Sequence, residues 1–207
     1  MSSPDKNLAL LIILAGPTGT GKSTLCDGIT GKHAGIQRVI TSTTRAPREG
    51  EVNGEHYYFF SQEEFDQKIE EGAFYEYAEV HQAQHRYGTL KSEIQGKLAA
   101  DQDLIMNIDV QGVASFQRAA ENDPLLKQRL VTVFLMPPSL EEIERRLVER
   151  GKEDRSAIDQ RLATASKEMP LWNTYDFCLV SGTREEDFSK VESIWMAEKL
   201  RVARLDG

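Results

Sequence analysis

Cysteine is scarce in this 207-residue chain: Cys26 and Cys178 stand alone, with no C-x-x-C pair and no Cys/His cluster near either. A disulfide-stapled fold is therefore excluded, and a reducing, cytoplasmic setting is expected. Long hydrophobic runs are missing too. The strongly apolar run near the N-terminus, Leu8 to Ala15, is far too short to span a bilayer. It has no basic leader and runs into a glycine loop, not a cleavage site, so a soluble protein without membrane contact is expected. Positive charge is also in deficit. A formal net charge of -8 opposes binding to DNA or RNA, whose affinity comes largely from clustered cations. A small anion in a local basic pocket stays compatible. Internal repeats and low-complexity linkers are absent, and 40% hydrophobic content over this length suits one core, so a single domain over residues 1–207 is expected.

What is present is an alternation. Apolar runs at Leu8–Ala15, Ile36–Ile40, Leu104–Ile108, Leu130–Met136 and Phe177–Val180 alternate with helical segments. Continuous apolar strands separated by helices predict an α/β fold with a parallel sheet flanked by helices. Two insertions break the rhythm. The first, from Thr43 to about Leu98, carries a hairpin signal at Asn53-Gly54, a capping box at Ser61/Glu64 and a helix stop at Gly72. The second, Ser139 to Pro170, is arginine-rich, with a capping box expected at Ser139/Glu142 and Gly151 separating two helices.

Between the first strand and the first helix lies GPTGTGKS, Gly16-Pro17-Thr18-Gly19-Thr20-Gly21-Lys22-Ser23, followed by Thr24. This matches G-x-x-x-x-G-K-[ST] in the context where such a loop wraps phosphates with backbone N–H groups. Glycines let the backbone approach the anion, Lys22 can bridge β and γ phosphates, and the Ser23 hydroxyl can ligate Mg²⁺ directly. A cradle of this kind does not identify the phosphoryl acceptor, because many nucleotide-dependent proteins share it. The segment after the second strand, TSTTRAPREGEVNGEHYYF, places Arg45 and Arg48 three apart with Tyr57 beyond the turn. Two guanidinium forks and a phenol suit a phosphate monoester.

The ordered set GPTGTGKST, STTRAPREGEVNGEHYYF, FYEYAEV, YGT, IDVQGV and PPSLEEIERRLVERG through DQRL resembles the guanylate kinase family over nearly the whole chain. The resemblance implies a P-loop fold with a core (8–42, 99–138 and 171–207), a mixed α/β NMP-binding region (43–98) and a helical lid (139–170). It implies transfer of the ATP γ-phosphoryl group to GMP, and to dGMP, with Mg²⁺ as cofactor. By the same resemblance Arg45, Arg48, Tyr57 and Tyr87 hold the GMP phosphate, and Thr41, Glu76 and Thr89 read the guanine edge, with Asp109 nearby. The chemistry agrees, since guanine offers N1–H and N2–H₂ donors that one carboxylate accepts together, whereas adenine has an acceptor at N1. Taken alone, Glu76 reads as a solvated charge and the tyrosines as core or strand aromatics.

Asp109 closes the Leu104–Ile108 run, where ligands of open sheets bind; a place beside Mg²⁺, through water, competes with a plain helix N-cap. Arg146 and Arg150 are four apart on one helix and repel each other, and Arg161 stands on the next. The resemblance lays Arg146 on the ATP adenine and gives Arg150 and Arg161, with Lys22 and Arg45, to the transferring phosphates. Glu142, four before Arg146, also allows an ordinary ion-paired helix. His81 and His85 have metal-compatible spacing but no third ligand, and read as solvated loop residues. The chain departs from the family pattern at Thr41 and Thr89, where many members carry serine, in a long 81–86 loop, and in VSGT at Val180–Thr183. There Ser181 replaces the adenine-side asparagine. Two rivals stand: a protein-binding scaffold of the same fold, and a kinase for another monophosphate or a sugar phosphate. The charged C-terminal helix suits a monomer or a homodimer.

Overall fold

The computed structural model describes residues 8–80, 85–151 and 154–204, apart from the side chain of Val80. In chain order its elements are β1 (Leu11–Ala15), α1 (Lys22–Lys32), β2 (Ile36–Arg38), β3 (Ser42–Thr43), β4 (Tyr58–Phe59), α2 (Gln62–Glu70), β5 (Phe74–Val80), β6 (His85–Leu90) and α3 (Lys91–Ala99). There follow β7 (Asp103–Asn107), α4 (Val110–Asn122), α5 (Pro124–Arg129), β8 (Leu130–Met136), α6 (Leu140–Arg150), α7 (Arg155–Glu168), β9 (Phe177–Val180) and α8 (Arg184–Lys199).

β1 is the middle strand of a parallel sheet ordered β2-β7-β1-β8-β9. Its uninterrupted apolar sequence follows from the two-residue side-chain period in a strand covered on both faces. Leu11 and Ile13 pack toward Ile94 and Leu98 of α3 and Val113 and Phe116 of α4. Ile12 and Leu14 pack on the other face with Leu25 and Ile29 of α1 and Val191 and Trp195 of α8. The charged C-terminal helix is thus docked on the core. No helix among the described residues is long and apolar enough to cross a membrane.

A second, mixed sheet is ordered β4-β3-β6-β5, with a small core of Phe65, Phe74 and Leu90 beneath it. The hairpin expected at Asn53-Gly54 does not form. Gly54 does occupy a left-handed turn, but β3 and β4 on either side of the loop pair in parallel. The local hydrogen bonds explain this: Asn53 Oδ1 accepts from the Phe59 amide at 2.9 Å, and the Gly54 amide donates to the Tyr57 carbonyl at 2.8 Å. The chain therefore loops back on itself before running beside β3, and no antiparallel ladder can start.

The Ser61/Glu64 capping box forms in full, whereas that at Ser139 forms only by half. Ser139 accepts from the Glu142 amide, but the Glu142 carboxylate turns to Arg145 and Arg146 at 2.7 Å each, where charge-assisted bonds outcompete a neutral amide. That pairing also removes much of the expected repulsion along α6. Gly151 ends α6 in the left-handed conformation, and Ile143, Leu147, Ile158 and Ala165 give α6 and α7 their own apolar contact. His85 and Arg86 belong to β6, not to a loop; His81 lies outside the described residues. A strand position for His85 removes the helical i, i+4 geometry a metal pair would need.

Candidate active site

The cradle begins where β1 ends. Gly16 has φ +129°, and a Cβ there would lie 2.3 Å from the Leu135 carbonyl oxygen on β8, so only glycine fits. α1 then starts at Lys22 with Gly21 as its N-cap and no side-chain cap, leaving its first N–H groups free to meet an anion. Thr20, buried, donates its hydroxyl to the Pro17 carbonyl at 2.9 Å and braces the loop. Lys22 Nζ donates to the carbonyls of Gly16 at 2.6 Å and Pro17 at 2.8 Å. Burial pulls its ammonium down to about 8, against the opposing pull of Glu168, Cys26 and Asp109. A cation held by neutral carbonyls and short of water is primed for a phosphate. Ser23 and Thr24 follow on different sides of α1, the Ser23 hydroxyl lying 3.5 Å from Asn107 Oδ1.

Beside the cradle opens a cavity of about 460 Å³, walled by Ser23, Thr41, Tyr57, Glu76, Tyr87 and Asp109 among others. Strand register assembles it. Glu76 of β5 is paired with Thr89 of β6, and Tyr87 with Ala78, so alternate residues present Glu76, Tyr87 and Thr89 to one face. The Thr89 hydroxyl, fully buried, donates to Glu76 Oε1 at 2.6 Å. Burial raises the Glu76 carboxyl to about 7, against the lowering effect of that hydrogen bond, and Asp109 adds to the rise. The Tyr57 and Tyr87 rings meet edge to face at 6.1 Å, with the Arg45 guanidinium 5.5 Å over Tyr57. Arg48 is exposed and does not line the cavity; its backbone amide donates to Glu51.

A second cavity, of about 940 Å³, lies between the cradle and α7 and is lined by Gly16, Thr18, Lys22, Arg161 and Glu168. Asn107, Ile108 and Asp109, at the carboxyl end of β7, line both cavities, so the two meet there. Asp109 is the N-cap of α4, its Oδ1 accepting from the Gly112 amide at 2.7 Å. Arg161 Nη1 donates to the Thr18 hydroxyl at 2.9 Å, which brings α7 against the cradle. Arg146 reaches the Gly19 carbonyl at 3.3 Å. Arg150, exposed in the last turn of α6, lines neither cavity.

Three groups at the site escape the motif-level reading. Glu51 takes the Arg45 guanidinium bidentately, Nη1 and Nη2 each at 2.9 Å, and this pairing with the Arg48 amide holds the carboxylate down at about 2. The signal was an acid six residues beyond Arg45, within the same block. Arg38 lines the first cavity and donates to Asn107 at 2.7 Å and to Asp27. Glu168 faces Lys22 across the second cavity and is pushed up by burial. Neither had a local signal, because each partner is far away in sequence.

The guanylate kinase family model matches residues 9–198. The guanylate kinase of Clostridium perfringens strain 13 is 38% identical over 199 residues, covering 96% of this chain and 88% of that protein. That of Idiomarina loihiensis is 39% identical over 197 residues, covering 94% and 90%. The crystal structure of guanylate kinase from Anaplasma phagocytophilum superimposes with a TM-score of 0.73 at 27% identity, covering 99% of this chain and 94% of that one. With its cradle, its two joined cavities and a match over nine-tenths of its length, the chain belongs to the guanylate kinase family.

Proposed function

We propose that the protein transfers the γ-phosphoryl group of ATP to GMP, and to dGMP, giving ADP and GDP or dGDP. The observation that carries this reading is the junction of the two cavities at Asp109, with a half-buried carboxylate, Glu76, on one side and a phosphate cradle on the other. Guanine meets Glu76 with two adjacent N–H donors, and Thr89 and Thr41 add hydroxyls around the base. On this reading Tyr57 and Tyr87, which line the cavity, hold the GMP phosphate with Arg45, stacked over Tyr57, and with Arg48, which must turn in from its exposed position. Residues 43–98 thus form the NMP-binding region, 139–170 the lid, and the remainder the core.

On the donor side the backbone of Gly16 to Ser23 and the start of α1 receive the β and γ phosphates, and Lys22 leaves its own loop carbonyls to bridge them. An oxygen of the GMP phosphate attacks the γ-phosphorus; the new P–O bond forms as the bond to the β-phosphate oxygen breaks, leaving ADP. No general base is needed, because a phosphate monoester with a second pKa of about 6 is already anionic near neutral pH. Lys22, Arg45, Arg150 and Arg161 balance the charge spread over the transferring group. Arg150 and Arg161 act on closure of the lid, which also keeps water from the γ-phosphate. The Ser23 hydroxyl and Asp109 carboxylate are hard oxygen donors close to the phosphate path, a sparse set of the kind Mg²⁺ uses alongside water and phosphate. Held there, a Mg²⁺ ion would supply neutralisation of phosphate charge. Two unpaired cysteines and nucleotide chemistry go with a cytoplasmic enzyme.

The test is ADP formation from ATP and Mg²⁺ with GMP, dGMP, AMP, CMP and UMP. The expected result is turnover with the two guanine nucleotides. Turnover best with AMP, or none with any acceptor, overturns the reading.

A further inference from the structure

The chain passes from the core sheet to the small sheet between β2 and β3, and it returns through α3, which links β6 to β7. One side chain ties the two crossings together. Glu93 of α3 accepts from the Ile40 amide, on the outgoing crossing, through Oε1 at 3.1 Å. Its Oε2 accepts from the Tyr58 hydroxyl of β4 at 2.9 Å. Lys97, one turn further along α3, also donates to Oε1. Tyr58 is held from its backbone as well, since its amide donates to the Thr41 carbonyl at 2.9 Å. Burial and the carboxylate beside it raise the Tyr58 phenol, so the ring keeps the proton it donates.

Glu93 is only 7% exposed, and a carboxylate that short of water needs partners. Lys97 balances its charge from within the same helix, at i, i+4 spacing. The other two bonds leave the helix, and each lands next to a residue of the acceptor side. Ile40 precedes Thr41, and Tyr58 follows Tyr57. Ile40, Thr41, Tyr57 and Lys97 all line the Glu76 cavity, whereas Glu93 does not. We propose that Glu93 is a positioning residue of the acceptor site: by bonding Ile40 and Tyr58 from the return crossing, it fixes Thr41 and Tyr57 against the core without touching the nucleotide. This rests on the phosphotransferase reading above, with GMP as the acceptor.

The test is KM and kcat for GMP and for ATP, with a thermal melt, in Glu93→Ala, Glu93→Gln and Tyr58→Phe. Glu93→Ala is expected to raise KM for GMP roughly tenfold, the scale of lost hydrogen bonds to a charged group, with kcat within about twofold and KM for ATP unchanged. Glu93→Gln keeps an oxygen for the Ile40 amide and an N–H that the Tyr58 oxygen can accept, so KM for GMP should return to within about threefold of the wild type. Tyr58→Phe removes one bond only and should raise KM for GMP about threefold. Added to Glu93→Ala, it should raise KM no further, because the bond is already gone. If Glu93→Ala fails to fold, Tyr58→Phe decides alone. A lower Tm with KM for GMP unchanged, or an equal rise in KM for GMP and ATP, overturns the proposal, since a tie that only holds the fold together predicts those results. A Glu93→Gln variant no better than Glu93→Ala overturns it too. Absence of GMP turnover by the wild type would instead overturn the phosphotransferase reading itself.

Discussion

The two sides of the site are built by different means. On the proposed reading the donor side is a contiguous stretch, Gly16 to Thr24, in which backbone N–H groups form the cradle and Lys22 and Ser23 add a charge and a hydroxyl. The proposed acceptor side draws on Thr41, Arg45, Tyr57, Glu76, Tyr87 and Thr89 from a small mixed sheet and its loops, and on that reading side chains do the recognition. Backbone recognition tolerates any nucleoside triphosphate with the right phosphates; side-chain recognition discriminates. The division teaches that damage to the cradle should slow transfer to every acceptor, whereas damage to the small sheet should fall mainly on GMP binding.

The largest expected effect is at Lys22. Lys22→Ala should lower kcat by about 10³-fold, the scale of losing one positioned charge at a transferring phosphate. Steady-state kinetics with GMP and dGMP should show the same factor, and a loss confined to one acceptor would break the comparison. Next comes Arg45→Ala, which should raise KM for GMP by about 10²-fold while disturbing ATP binding little. Isothermal titration with each nucleotide separately checks the asymmetry.

A pH series sharpens the contrast without any mutation. Glu76 sits at about 7, raised by burial, so below that pH it is largely protonated and loses acceptor capacity for the two guanine donors. KM for GMP should fall by up to roughly tenfold as pH rises from 6 to 8, following the ionised fraction. Titration of the GMP phosphate overlaps at the acid end, and Glu76→Gln separates the two because its profile should be flat near pH 7. Smallest is Glu51→Gln. Its paired oxygens aim Arg45, and losing their charge should raise KM for GMP only about threefold to tenfold with kcat nearly unchanged.

The same division governs what could be read without a structure. The cradle was legible because its requirements are local: a buried strand, positive-φ glycines, a lysine and a hydroxyl at consecutive places. The five parallel strands were legible as apolar runs, although β2 stops at Arg38 and the sheet order needs the fold. At the acceptor side, Glu76 and Thr89 lie thirteen positions apart and meet only through β5–β6 register, so family resemblance, not spacing, pointed to them. The Asn53-Gly54 signal failed because side-chain and backbone bonds to Phe59 and Tyr57 captured that loop. Asp109 proved to be a helix N-cap while also standing where the two cavities meet.

On the proposed reading, Glu76 makes this enzyme a guanine-nucleotide kinase. The most direct measurement is kcat/KM for GMP and for AMP in the wild type and in Glu76→Gln, with ATP and Mg²⁺ as donor. A strong GMP preference is expected in the wild type, shrinking by about 10- to 100-fold in the variant, as loss of a charged hydrogen-bond acceptor requires. An unchanged GMP-to-AMP ratio in Glu76→Gln would contradict it.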